Sequence, residues 1–234
     1  MSDPFQLDPT KYSLKKFKHS LQKRDLIPSR VSLKDELDKR FRILEDAHIH
    51  NLQDLIDALK TKDKLNAFAD ETGLPTNYLT LLNREAKSYL AKPVRLDKFP
   101  EVPKKVTDSL ADAGIKNSKH LFIASRDADS VKALAETTGI PPKALNELIS
   151  LADLSRIYGV GPVFARIIYD VGIHSVEAFI QWSGADLVRI YEAQTGKAAD
   201  FSAAEIEFSL ELARELTGAA AHPLQDRSKA CQQP

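Results

Sequence analysis

The sequence of this 234-residue chain predicts an all-α fold built from three tandem units. Three observations carry that prediction. The chain repeats itself, its apolar residues recur at helical spacing between glycine and proline turns, and no run flanked by turn residues alternates with the period of two that a half-buried strand needs.

The repetition fixes the units. ILEDAHIHN at 43–51 recurs as SLADAGIKN at 109–117, and ADETGLPTNYLTLL at 69–82 as AETTGIPPKALNEL at 135–148. Ile49 and Ile115 are 66 positions apart, as are Gly73 and Gly139, and at that offset 17 of about 57 positions from Arg30 onward are identical. A third copy starts at Leu154, where LSRIYGVGPVFARIIYDVGI follows LDKFPEVPKKVTDSLADAGI at 96–115 with an offset of 58, slipping to 57 by Gly196.

In chain order, residues 1–30 form a basic N-terminal arm, 31–95 the first repeat, 96–153 the second, 154–218 the third, and 219–234 a tail expected to be disordered. In the arm, KYSLKKFKHSLQKR at 11–24 holds six basic residues and no acid, with Leu14, Phe17 and Leu21 on one helical face. Such a helix either grips phosphates or an acidic partner, or docks those three residues on the first repeat and leaves its lysines solvated. Within the repeats Leu79, Leu82 and Ala86, or Leu145, Leu148 and Ala152, share a helix face. In TGLP and TGIPP the Gly suits the left-handed residue that ends a helix, and the Pro suits the first turn of the next. Ser202 and Glu205 make a capping-box pair for the last helix, whose apolar face is Ile206, Leu210 and Ala213. Units of about 60 residues are marginal alone, so stacking must bury their faces together.

Composition excludes several functions. With 43% hydrophobic and 28% charged residues the chain is not an intrinsically disordered one, and 33 basic against 33 acidic groups leave no uniformly basic surface. The charge is uneven, at +4 over 1–30, zero over 31–150 and −4 over 151–234, so any nucleic-acid site must be local. A single cysteine, Cys231, allows no disulfide framework. No secretory leader or membrane-length apolar run appears, and a cytoplasmic location with no membrane partner is expected. The histidines at 19, 48, 50, 120, 174 and 222 are scattered, and His48-x-His50 has no acidic or cysteine partner at ligand spacing. There is no P-loop, dinucleotide fingerprint or nucleophile elbow, and acid pairs such as Asp127 and Asp129 or Glu205 and Glu207 suit solvated turns and faces. No catalytic residue, metal or cofactor is therefore expected.

One motif carries chemistry. Leu154-x-x-Ile157-x-Gly159-Val160-Gly161-x-x-x-Ala165-x-x-Ile168 resembles the helix-hairpin-helix (SAM-like) pattern. The glycines allow backbone conformations and approaches that a Cβ blocks, Val160 plugs the angle between helices, Pro162 pre-sets the next helix and Ala165 lets the helices cross closely. The turn leaves the first amides of a helix unpaired, and with the helix dipole these make a small anion site. The resemblance implies DNA phosphate as that anion, with Arg156 and Arg166 flanking it and Asp170 placed to neutralise Arg166. The other turns, KDELDK at 34–39 and PEVPK at 100–104, lack glycine, and Pro103 has no N–H to donate. Across residues 25–218 the chain also resembles a bacterial family of unknown function with divergent helix-hairpin-helix repeats, on LKTKDKLNAFADETGLPTNYLTLLNRE (59–85), KPVRLDKFPEV (92–102) and LSRIYGVGPVFARIIYDVGI (154–173). His48 stands where the later copies have Gly114 and Gly172.

The expected function is a non-catalytic module that binds the nucleic-acid backbone, DNA or RNA, weakly and without sequence readout. Its phosphate contacts are expected at Gly159, Val160, Gly161, Arg156 and Arg166, and on the arm at Lys15, Lys16 and Lys18. The alternative is a protein-interaction scaffold or adaptor without nucleic acid, in which the +4 arm meets an acidic partner or the −4 third of a second copy.

Overall fold

The computed structural model describes residues 3–218; the tail expected at 219–234, with Cys231, lies outside the described residues. The fold is all-helical, and among the described residues no helix is long and apolar enough to cross a membrane. Helix α1 (Leu14–Lys23) and a 3₁₀ turn (Pro28–Lys34) precede α2 (Leu37–Asp46), α3 (Leu52–Ala58), α4 (Lys62–Thr72) and α5 (Thr76–Ser88). A second 3₁₀ turn (Leu96–Lys98) leads into α6 (Lys104–Asp112), α7 (Ser118–Ala124), α8 (Ala128–Thr138) and α9 (Pro142–Leu154). The chain continues through α10 (Pro162–Asp170), α11 (Val176–Phe179), α12 (Gly184–Thr195) and α13 (Ala203–Thr217).

Short polar residues start these helices. Asn51, Thr61, Asn117, Asp127, Ser175, Ser183 and Ser202 each accept an amide of the following turn, and Ser202 with Glu205 closes the expected capping box. Left-handed residues stop or reverse the chain at recurring places. Glu36, Glu101 and Gly159 precede α2, α6 and α10; His48, Gly114 and Gly172 follow the same helices; Gly73, Gly139 and Gly196 end α4, α8 and α12. After α2, α6 and α10 the same six-residue closure recurs, with Ile49, Ile115 and Ile173 donating to Leu44, Leu110 and Ile168 at 3.0, 2.8 and 3.2 Å.

The opening amide of the next helix is held in two ways. Leu52 and Ser118 donate to the carbonyls of Tyr12 and Val94 at 3.0 and 2.7 Å. Val176, at the corresponding place, donates instead to the Asp153 carboxylate at 2.8 Å.

The basic arm is not free. Leu14, Phe17 and Leu21 are buried in the core around α2, α3 and α5, so the docked arrangement of this amphipathic helix is the one adopted. At about 1.5–3 kcal/mol for each large apolar side chain removed from water, that burial outweighs what exposed lysines gain by reaching solvent from a free helix. Ahead of α1, Phe5 is fully buried and meets the ring of Phe122 in α7 edge-on at 5.8 Å. A second core runs from Leu96 to Ala213. Helix α13 serves both, placing Phe208 and Leu212 in the first core and Ile206, Leu210 and Ala213 in the second.

Candidate nucleic-acid interface

The turn from α9 into α10 holds Gly159, Val160 and Gly161 together. Gly159 has φ +78°, and a Cβ there would lie 3.6 Å from Ser209 Oγ on α13. Val160 is buried and Ala165 is fully so, which fits their expected packing roles. Gly161 has φ −83°, ordinary extended backbone, so of the two glycines only Gly159 occupies the left-handed region. Gly161 caps α10 without any side-chain hydrogen bond, and Pro162 follows, so the amides on offer belong to Val163 and Phe164. Val163 is 61% exposed, which leaves this helix end open to solvent.

Neither arginine near this turn is available to a ligand. Arg156, 7% exposed, donates to Asp153 Oδ1 through Nε at 2.9 Å and Nη2 at 2.5 Å, to the Pro4 carbonyl at 3.1 Å, and lies over the ring of Phe122. Burial pushes the Asp153 carboxyl up, against the pull of Arg156. Arg166, 6% exposed, donates to Glu147 Oε1 at 2.6 Å, to Asp170 Oδ1 at 3.3 Å and to the Pro100 carbonyl at 3.2 Å. Both are expected from the sequence to flank a phosphate; both hold the fold together instead, Arg156 against one carboxylate and Arg166 against two, each in a place too dry to leave it unpaired.

The arm lysines are mixed. Lys15 is exposed, and among the described residues it forms no salt bridge. Lys16 pairs with Glu215 of α13 and Lys18 with Asp38 of α2, each at 2.7 Å. These three lie on α1 rather than in the turn before α10.

The turn into α6 supplies what the turn into α10 lacks. Glu101 takes φ +62°, Pro103 caps α6 without a side-chain hydrogen bond, and Lys104 and Lys105, both exposed, open the helix. Lys98, just upstream, is exposed as well. Lys104 pairs with Asp108 at 2.7 Å, both largely in solvent, where such a pair is weak. Lys98, Lys104 and Lys105 lie outside the glycine-bearing motif, and the KK directly after Pro103 is the sequence signal that marks them. The turn into α2 differs again. Glu36 is both its left-handed residue and the helix cap, and it pairs with Lys39 at 3.1 Å while Asp38 pairs with Lys18 at 2.7 Å. Elsewhere the His48 and His50 rings lie 6.4 Å apart, and among the described residues no three His, Cys, Asp or Glu side chains gather as a metal would require.

The turn into α6 touches α10, where Arg166 reaches the Pro100 carbonyl. The stretch that contains both, residues 100–216, matches the model of a domain of unknown function, DUF4332, over half of the chain. The chain belongs to that family. The DUF4332 match opens at Pro100 and closes within α13, so α1 to α5 lie ahead of it. A 50-residue stretch is 38% identical to the poly(3-hydroxyalkanoate) polymerase subunit PhaC of Haloarcula marismortui, covering 21% of this chain and 10% of that protein. No solved structure matches the chain.

Proposed function

We propose that the chain is three tandem helix-hairpin-helix units and that the second and third hairpins together bind the nucleic-acid backbone without reading its sequence. The observation that carries this reading is the Arg166–Pro100 contact, which links α10 to the turn into α6, two helices that both start without a side-chain cap. Uncapped first-turn amides and the helix dipole favour an anion, and Lys98, Lys104 and Lys105 supply the mobile charge. The recurrence of left-handed residues at offsets close to those of the sequence repeat supports the three-unit reading. Gly159, Val160 and Gly161 shape the third hairpin. Lys15 is the arm residue free to add a contact, while Lys16 and Lys18 contribute only by exchanging exposed carboxylate partners for phosphate.

Titration of a labelled duplex tests the proposal. Binding at about 10 µM in low salt is expected, with log K falling by about 0.9 per log unit of salt for each phosphate neutralised. Lys98→Glu with Lys105→Glu should abolish it, and Gly161→Asp should weaken it by placing a carboxylate at the mouth of α10. Wild-type affinity in a folded Lys98→Glu, Lys105→Glu protein would refute the proposal.

The second reading, a protein scaffold without nucleic acid, is favoured by one observation: Arg156 and Arg166, the cations nearest the third hairpin, are buried and paired. A duplex titration that stays flat at low salt would select it.

A further inference from the structure

We propose that Arg166 is a positioning residue that clasps the second hairpin to the third, so that both meet one stretch of backbone; the binding half of this statement rests on the function proposed above. The guanidinium sits on the second turn of α10, donates through Nε to the Pro100 carbonyl at 3.2 Å, and is itself held by Glu147 of α9 at 2.6 Å and Asp170 of α10 at 3.3 Å. Pro100 immediately precedes Glu101, the left-handed residue of the second hairpin. The carbonyl in question thus belongs to the turn that aims the amides of Lys104 and Lys105.

This contact is not part of the repeated unit. Asp108 and Arg42 occupy the places of Arg166 in the second and first copies; Asp108 pairs with Lys104, and Arg42 is exposed. It is a device of the junction between the second and third copies. The guanidinium fork reaches its three partners through three separate nitrogens, Nε to the carbonyl and Nη1 and Nη2 to the carboxylates, a spread that the single ammonium nitrogen of lysine does not match. Two weak anion sites held at a fixed separation act on one ligand as a bivalent site, with an effective concentration set by their rigidity.

The test uses the full chain with Cys231→Ser and nitroxide labels at Lys98→Cys and Val163→Cys, both exposed positions. Pulsed electron resonance gives the distance distribution between the hairpins, and duplex affinity is measured on matching proteins that keep Lys98 and Val163. The parent should give one narrow distribution. Arg166→Lys and Arg166→Met should each broaden it at least about twofold, weaken duplex binding about tenfold and reduce the salt slope by about one phosphate's share. Arg166→Lys keeps the charge, so it reads the clasp if Arg166→Met fails to fold. An equally folded Arg166→Lys protein with the parent distribution, or with a broadened distribution and unchanged duplex affinity, would overturn the proposal. A parent that binds no duplex overturns the binding half together with the function above, and the distance distribution then decides the clasp by itself.

Discussion

At Gly159 the backbone has φ +78°, so an added methyl group meets a disfavoured conformation, while its 3.6 Å contact with Ser209 Oγ is an ordinary one. Gly159→Ala should cost about 1–2 kcal/mol. Gly161→Ala, at φ −83° with open space where the Cβ goes, should stay within about 0.5 kcal/mol. Urea denaturation of the two variants checks the contrast, and equal losses would contradict it. Tyr78 makes the opposite case. Its hydroxyl is buried and has no hydrogen-bond partner among the described residues, while Arg40 lies over its ring at 4.3 Å. Removing an unsatisfied buried hydroxyl relieves its desolvation, so Tyr78→Phe should stabilise by about 1 kcal/mol, read as a raised melting temperature. A lowered one would show that the hydroxyl is satisfied.

Among the elements, the start of α11 is the most exposed to test, because a side chain there does the work that a backbone carbonyl does for α3 and α7. Asp153 Oδ2 accepts from Val176 while Oδ1 accepts from Arg156, whose side chain is 5% exposed. Asp153→Asn leaves that guanidinium buried without its counter-charge and should cost about 3 kcal/mol, whereas adding Arg156→Met should recover much of the loss. Chemical denaturation of the single and double variants decides it, and a double variant no better than the single one would contradict the pairing argument. The helices themselves were legible in the sequence, because apolar spacing, caps and Gly-Pro turns are local signals. The state of α1 was not, since a basic amphipathic helix is equally compatible with docking and with a free arm until its apolar face finds Leu33, Phe41 and their neighbours. The arginines were legible only in part. Asp170, four residues from Arg166, could be read as its neutraliser, but Glu147 on a different helix and the Pro100 carbonyl could not.

On the scale of the whole molecule, α13 lies between two cores and a buried charge cluster ties the segment ahead of the family domain to it. Glu85, fully buried, pairs with Arg24 at 3.0 Å and with Arg30, while Arg24 also donates to Tyr89 and Tyr158 and lies 3.6 Å over the ring of Phe208. Glu85→Gln should destabilise by about 3–5 kcal/mol, and both cores should unfold in one transition, with circular dichroism and tyrosine fluorescence coinciding. Two separated transitions would contradict the shared helix. None of this cluster was readable beforehand: residues 61 and 134 positions apart meet through tertiary packing that leaves no periodic trace in the sequence. The anion-binding face proposed above is likewise a matter of packing, since it combines a lysine-bearing turn with a glycine-bearing one far away in the sequence. Nuclear magnetic resonance of the amide groups during titration with a short duplex at low salt tests that face most directly. The expected result is shifts concentrated at Lys98 to Lys105 and at Gly159 to Phe164, fading together as salt rises; shifts centred elsewhere, or none, would contradict it.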